Sequence, residues 1–493
     1  MQRPRITTPR AWCYRLLAVT LGLIPFVLVD CSLRLAGWGD ADAGSDPFVG
    51  FHAIRPLFAL DDDGRAFRIP PSRGPYFASD AFPAEKGKDA YRVFCLGGST
   101  VQGHPYSIET SFTTWLEIAL RAADPRRDWQ VINCGGVSYA TYRLAPILSE
   151  VLDYEPDLIV LYAGHNEFLE DRSYAAARGA SRSMVALHGV LSHWRLYQVA
   201  RQAADRWFGA PDRGPSAILP EEVDALLDYR GGLAHYHRDD AWAARVMDHF
   251  ALNVDRMARM TALRRVPMIV IEPVTNLRDC PPFKYETSSL PDADERDRFE
   301  WRWNAARDAS DPEVAAAALR EALRIDARHA GAHYYLARCL ETLGRVDEAR
   351  AHYIQAKDED LCPLRIREPM YAALEDVAHR RAHVRLIDIR PIFESMSRNG
   401  IPGDDVMADH VHPRIEGHQW IAQRLVEELE AMGVVRPGPD WESARRSAFR
   451  AHLETLDEVY FARGRMRLEG LRLWSQGRAA KIGNAPVGVD HPK

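Results

Sequence analysis

Five short apolar runs recur along the chain: residues 91–97 (YRVFCLG), 129–135 (WQVINCG), 156–164 (PDLIVLYAG), 266–274 (VPMIVIEPV) and 383–389 (HVRLIDI). The clearest, 156–164, is continuous rather than alternating, the pattern of a strand buried on both faces. The stretches between carry helical periodicity. In residues 111–123 (SFTTWLEIALRAA), Phe112, Leu116 and Leu120 fall on one stripe, and 142–154 (YRLAPILSEVLDY) also reads as helix. Short buried strands alternating with helices predict an α/β fold, a three-layer α/β/α arrangement around a parallel sheet.

Two segments interrupt this pattern. Residues 170–262 read as a largely helical insert between the third and fourth runs. Residues 290–365 contain a repeat: Ala315, Leu319, Ala322 and Asp326 recur 34 positions later as Ala349, Tyr353, Ala356 and Asp360. That spacing is the tetratricopeptide period. Residues 333–345 (HYYLARCLETLGR) supply the helix between, with Leu336 and Ala337 at its contact positions. About one and a half repeats are too few to stand alone, so the segment must pack on another part of the chain. The organisation expected is a basic stub and apolar helix (1–38), a linker with irregular packing (39–90), and a catalytic domain (91–289 and 366–435). The repeat insert (290–365) falls between the two parts of that domain, and C-terminal helices and a tail (436–493) end the chain. The amphipathic stretch 441–474 is a candidate partner for the repeats.

The N-terminus predicts a membrane anchor. Arg3, Arg5, Arg10 and Arg15 precede the uncharged run 16–29, and Asp30, Arg34, Asp40, Asp42 and Asp46 follow it. Basic residues before and acidic residues after favour an inside N-terminus with the rest exported. A spanning helix needs about 20 residues, which residues 11–35 reach only by including Arg15 and Asp30. No small-residue cleavage site is evident, and Asp30 spoils a lipoprotein box at Cys31. The chain of 493 residues carries 63 Lys and Arg against 69 Asp and Glu, with no basic block for nucleic acid. Seven cysteines without a CxxC exclude a zinc module and a disulfide-dense scaffold. In an exported protein Cys280 and Cys362, which bracket the repeats, are candidates for a disulfide.

The chemistry-bearing residues gather at strand ends. Sites in open parallel sheets form at the carboxyl edge. Ser99 follows the first run, Asn133 to Ser138 (NCGGVS) the second, and Gly164 to Phe168 (GHNEF) the third. Late in the chain Asp409 to Pro413 (DHVHP) precedes a helical stretch. A serine hydroxyl is a nucleophile only when a base takes its proton. His412 is the candidate base, and Asp409, three residues earlier, is placed to hold its tautomer if the segment is a helical turn. An oxyanion needs donors: Ser99 N–H, a backbone N–H of the 135–138 turn, and the Asn166 amide are the candidates. Within that turn Ser138 is the first choice, with Gly135 or Gly136 as alternatives.

Gly-Gly-Ser after the first strand, Gly-x-Asn after the third and Asp-x-x-His-Pro near the end resemble blocks I, III and V of the SGNH (GDSL-type) hydrolases. These are α/β/α, flavodoxin-like esterases and acylhydrolases. The likeness covers about 93–170, 262–285 and 380–430, and is most specific to bacterial membrane-anchored forms carrying tetratricopeptide segments. It implies Ser99 as nucleophile, His412 as base, Asp409 as its partner and Asn166 as oxyanion donor, with no metal or organic cofactor. Three positions depart from the family: Gly98 replaces the Asp of GDS, Ser138 the usual glycine, and Glu167 the usual Asp.

Other readings of these residues are weaker. No GK[ST] follows Gly97-Gly98-Ser99, against a phosphate-binding turn. Asp409, His410 and His412 lack a fourth metal ligand in sequence. His104 and His165 read as wall or packing residues, and Cys95 and Cys134 as buried small hydrophobes. Trp194, Tyr197 and Trp207 are candidates for lining an acyl or sugar groove. The expected substrate is an ester-bearing small molecule, a lipid or an acylated glycan. Transfer of the acyl group to a sugar hydroxyl uses the same triad. A non-enzymatic alternative is an interaction protein that binds a partner through its repeats, with the hydrolase fold as scaffold.

Overall fold

All five apolar runs become strands of one sheet, seen in a computed structural model. It describes residues 55–170 and 222–476 except 288, 289 and 291, with helical pieces at 14, 21–22, 24–33, 195–197 and 199–200. The chain divides into two units, residues 1–53 with 176–218 and residues 54–175 with 219–493. In the first unit, Asp30 of the 24–33 helix accepts a hydrogen bond from Leu196 N at 3.1 Å. The anchor expected over 1–38 falls mostly outside the described residues, as do Trp194 and Trp207. Among the described residues no helix is long and apolar enough to cross a membrane.

The second unit begins with three short antiparallel strands, β1 (Ala59–Leu60), β2 (Ala66–Arg68) and β3 (Ala81–Pro83). Residues 39–90 read as a linker with irregular packing, yet 59–83 form this sheet. Its strands are two or three residues long, too short for alternation to register in sequence. Phe58, Phe67 and Phe82 pack edge-on or tilted against Phe94 and Tyr154, and so bind the small sheet to the large one.

The large sheet holds β4 (Ala90–Gly97), β5 (Asp128–Gly135), β6 (Leu158–Tyr162), β7 (Met268–Glu272) and β8 (Val384–Asp388). Its order is β5-β4-β6-β7-β8, and every neighbouring pair is parallel. Gly97 pairs with Gly135 on one side and Tyr162 on the other, so β4, β5 and β6 end level. The loops carrying Ser99, Ser138 and Asn166 therefore leave from one edge. The chain also reverses its direction of winding at β4, the switch point where open α/β sheets hold their sites.

Helices cover both faces. After β4 come the single turn α1 (Ser99–Gln102) and α2 (Phe112–Ala123); α3 (Thr141–Val151) follows β5, and α4 (Asp240–Leu263) precedes β7. The repeat segment supplies α5 (Ala293–Asp308), α6 (Pro312–Ile325), α7 (Ala330–Thr342) and α8 (Val346–Asp358). Then come α9 (Glu368–Arg380), α10 (Arg390–Met396), α11 (Ile415–Ala431), α12 (Trp441–Glu454) and α13 (Glu458–Ser475). Val93, Cys95, Val160 and Ile269 face a core shared with α2, α11 and α12. Alternation turns Phe94 and Leu96 to the other face, where α3, α4 and α9 lie. Val93 to Leu96 are all fully buried; burying each large apolar side chain stabilises by about 1.5–3 kcal/mol.

Four expectations change here. Residues 170–262 were expected to be a helical insert, but α4 belongs to the sheet's own helical layer, packed on α3 and α9. Its signal merged with that of the segment before it. The repeats hold four helices rather than three. The extra one, α5, buries Phe299, Trp303 and Ala306 among charged neighbours that mask its stripe. The C-terminal stretch does not partner the repeats: α12 packs on α2, with Trp115 against Phe449. The repeats dock instead on the 276–283 and 398–405 loops. Ile401 and Leu277 enter their core, and Tyr334 donates to Arg278 O at 2.9 Å. Cys280 and Cys362 are free buried thiols, not a disulfide.

Candidate active site

Ser99 is the first residue of α1, whose short turn projects a half-buried hydroxyl beyond the end of β4. Its Oγ lies 2.7 Å from His412 Nε2, and His412 Nδ1 lies 2.6 Å from Asp409 Oδ2. The spacing of Asp409 and His412 was expected to act through a helical turn, but the backbone there is not helical. Asp409 Oδ1 accepts the N–H groups of Val411 and His412, each at 2.9 Å. This side-chain turn folds the segment back so that Oδ2 meets the imidazole. Ala408 N donates to His412 O at 2.8 Å, and a bridge between Met407 and Pro413 closes the loop. Pro413 thus precedes α11, as its place in the sequence implied.

The carboxylate is well prepared. Burial opposes its ionisation, but the charge and hydrogen bond of His412, then His410 and the Val411 N–H, outweigh burial. The Asp409 carboxyl is held well below its ordinary range. The other nearby imidazoles are kept neutral chiefly by burial, which lowers His104 to about 3, His410 to about 4 and His418 to about 3. His165 is lowered for the same reason. Asp409 meets His412 at 2.6 Å and His410 only at 3.5 Å, so its short contact is with the imidazole that faces Ser99. The His104 ring lies 5.1 Å from that of His412, beside the site, while His165 is buried and accepts from Ile366 N at 3.3 Å, a packing position.

The donors across from His412 separate clearly. Gly135 N–H is spent on Asn133 Oδ1 at 2.9 Å, Gly136 N–H on Gly97 O at 3.0 Å and Val137 N–H on Tyr76 O at 2.9 Å. Ser138 N–H has no acceptor among the described residues, nor has Ser99 N–H. Of the three turn candidates, Ser138 is thus the one with an uncommitted donor. Its φ of 64° lies in the left-handed region, which costs a non-glycine residue roughly 1–2 kcal/mol. Asn166 Nδ2 donates to Tyr139 O at 3.1 Å, which leaves one amide hydrogen. A Cβ on Gly98 would lie 2.5 Å from that Nδ2, so the amide rests directly on the backbone before Ser99.

Some supporting residues were not legible in sequence. Glu167 accepts from Thr141 N at 3.0 Å and Thr141 Oγ1 at 2.8 Å, capping α3 and tying the Asn166 loop to the Ser138 loop. Arg143 and Glu170, both buried, pair at 2.6 Å just beyond. Asp80 accepts from Asn133 N at 2.7 Å, so the small-sheet segment helps set the second loop. Nothing in sequence marks these partners, because each is far from its mate along the chain. Among the described residues no group of three or more His, Cys, Asp or Glu is arranged to hold a metal ion.

Burial raises Glu167 from 4.5 to about 7, against the Thr141 hydrogen bonds. The folded state then holds this proton more tightly than the unfolded chain. Its contribution is fully present below 4.5 and is lost as pH rises through about 7. Across that window the melting temperature of the wild-type chain should fall relative to Glu167→Gln, which cannot titrate. Parallel melting curves of the two proteins over the window would contradict this.

The comparisons with known proteins bear on the helical segment. No curated protein matches the chain. Residues 306–361 match the family described as the tetratricopeptide repeat. The module seated on the 276–283 and 398–405 loops therefore contains a tetratricopeptide repeat, where the 34-residue period put it, and such repeats are consistent with protein partners.

Proposed function

We propose that the chain is a serine ester hydrolase of SGNH type, a three-layer α/β/α enzyme that works through an acyl-enzyme. The continuous relay from Ser99 Oγ through His412 to Asp409 carries this reading. Ser99 Oγ attacks the ester carbonyl carbon while His412 Nε2 takes its proton. The carbonyl oxygen becomes an oxyanion, for which Ser99 N–H, Ser138 N–H and the remaining Asn166 amide hydrogen are the available donors. Collapse of the intermediate breaks the ester C–O bond, and His412 returns the proton to the departing alkoxide. Water, deprotonated by the same imidazole, then releases the acid and restores Ser99. The arginines before the apolar N-terminal run and the aspartates after it support placement at the outer face of a membrane.

A fluorophosphonate probe tests the reading on the folded full-length chain. The expected result is one adduct, on the peptide containing Ser99. A folded protein that stays unlabelled would remove the hydrolase assignment and leave the repeat module as the functional part. Asn166→Ala should lower kcat for 4-nitrophenyl acetate about 100- to 1,000-fold with little change in KM, because the amide acts on the oxyanion and not on the bound ester. A loss confined to KM would assign Asn166 to substrate binding instead.

A further inference from the structure

The C-terminal helix α13 touches two of the loops that adjoin the site residues, and a turn bridged to the end of a third. Near its start, Tyr460 Oη lies 2.8 Å from Thr110 Oγ1. One turn on, Gly464 sits against the Tyr106 ring so closely that a Cβ would lie 2.0 Å from its Cδ1. Glycine weakens a helix interior, and here it permits the helix to rest on the loop that follows Ser99. Arg467 donates to Tyr106 O, and Arg472 to Ala408 O at 3.3 Å. Near the end, Trp474 Nε1 donates to Asp228 Oδ1 at 2.7 Å. The 225–228 turn is joined in turn to Glu170, at the end of the Asn166 loop, by a bridge with Ala225. Positions 460, 464, 467 and 474 share one stripe of the helix, and Arg472 reaches Ala408 O from beside it.

The charge along this helix is unbalanced. Arg465 pairs with Glu458. Arg463, Arg467 and Arg472 have no carboxylate within ion-pair distance among the described residues, and Arg467 and Arg472 are exposed. Those two bond only neutral carbonyls, which leaves most of each guanidinium for another acceptor. Both also rest on loops that adjoin the site residues. Ala408 adjoins Asp409, and the charge of Arg467 bears on His104, whose ring lies 5.1 Å from that of His412. In a chain of net charge −6, two arginines without ion-pair partners, resting on loops that adjoin a serine site, are placed to select anions.

We propose that α13 is the entrance wall of the Ser99 site and that Arg467 and Arg472 bind an anionic group, carboxylate or phosphate, on the substrate. This rests on the hydrolase reading. The test separates the two by measuring binding in the Ser99→Ala full-length chain, where an ester stays intact, and turnover in the wild type. Calorimetry should show 4-nitrophenyl hemisuccinate binding at least about tenfold more tightly than the neutral 4-nitrophenyl butyrate. Added Arg467→Gln and Arg472→Gln should remove that preference, and lysine at both positions should restore part of it. Competition by succinate or by inorganic phosphate at equal ionic strength then identifies the group preferred. Equal binding of the two esters, or a preference that survives both glutamines, overturns the proposal. Failure of wild-type protein to turn over either ester strikes the hydrolase reading, while the binding comparison still decides whether α13 selects anions.

Discussion

Ser99→Ala should lower ester turnover roughly a million-fold and abolish fluorophosphonate labelling, while the protein stays folded. The Oγ is the atom aimed at His412 Nε2 at 2.7 Å, and no other hydroxyl is hydrogen-bonded to that nitrogen among the described residues. Deletion leaves the proposed oxyanion donors in place, so some rate above water, on the order of 10³–10⁴-fold, should persist. The folding cost should be small, about 1 kcal/mol, because Ser99 is half-buried and loses one hydrogen bond. The measurement pairs initial rates on 4-nitrophenyl acetate with a denaturant melt. Wild-type rates or labelling in a folded Ser99→Ala chain would show that the serine is not the nucleophile.

Asp409→Asn should cost about 10⁴-fold in kcat with the site geometry retained. The carboxylate has two tasks. Oδ1 receives the Val411 and His412 N–H groups, and Oδ2 receives His412 Nδ1–H. An asparagine oxygen can keep the first task. Its NH₂ then faces Nδ1, so Nδ1 must become the acceptor and the ring proton moves to Nε2. That places a donor against the Ser99 hydroxyl and leaves no base. The substitution also tests the electrostatics. A carboxyl held below its ordinary 3.8 contributes stability that is present above 3.8 and lost as pH falls through its folded-state value. The stability gap between wild type and Asp409→Asn should therefore close on acidification. A kcat within tenfold of wild type would mean that Asp409 does not hold the tautomer.

Much of the architecture is legible in the amino-acid order. Strands such as 158–162, buried along their whole length, need a continuous apolar run, and that run is visible locally. The candidate site residues were legible for a related reason. Strand ends mark where a parallel sheet places its loops, and Ser99, Ser138 and Asn166 follow three adjacent strands. The supporting residues were hidden. Glu167 is a glutamate like any other until Thr141, 26 positions away, meets it. Helix α5 escaped because its buried Phe299 and Trp303 lie in a run of Asp, Glu and Arg.

Local patterns in the amino-acid order were enough for the parallel strands, their loop-bearing ends and the 34-residue repeat, since each is set by neighbours within one or two turns or by self-similarity. Three-dimensional packing alone settled which groups meet. Ser99 and His412 are 313 positions apart, and a side-chain turn rather than a helix face brings Asp409 to the imidazole. Ser138 keeps its N–H because Asn133, Gly97 and Tyr76 take those of Gly135, Gly136 and Val137. The last helix is seated where Tyr106, Ala408 and Asp228 accept it. Competition for each donor and each surface is decided among segments remote in sequence, and no window of sequence contains all the competitors.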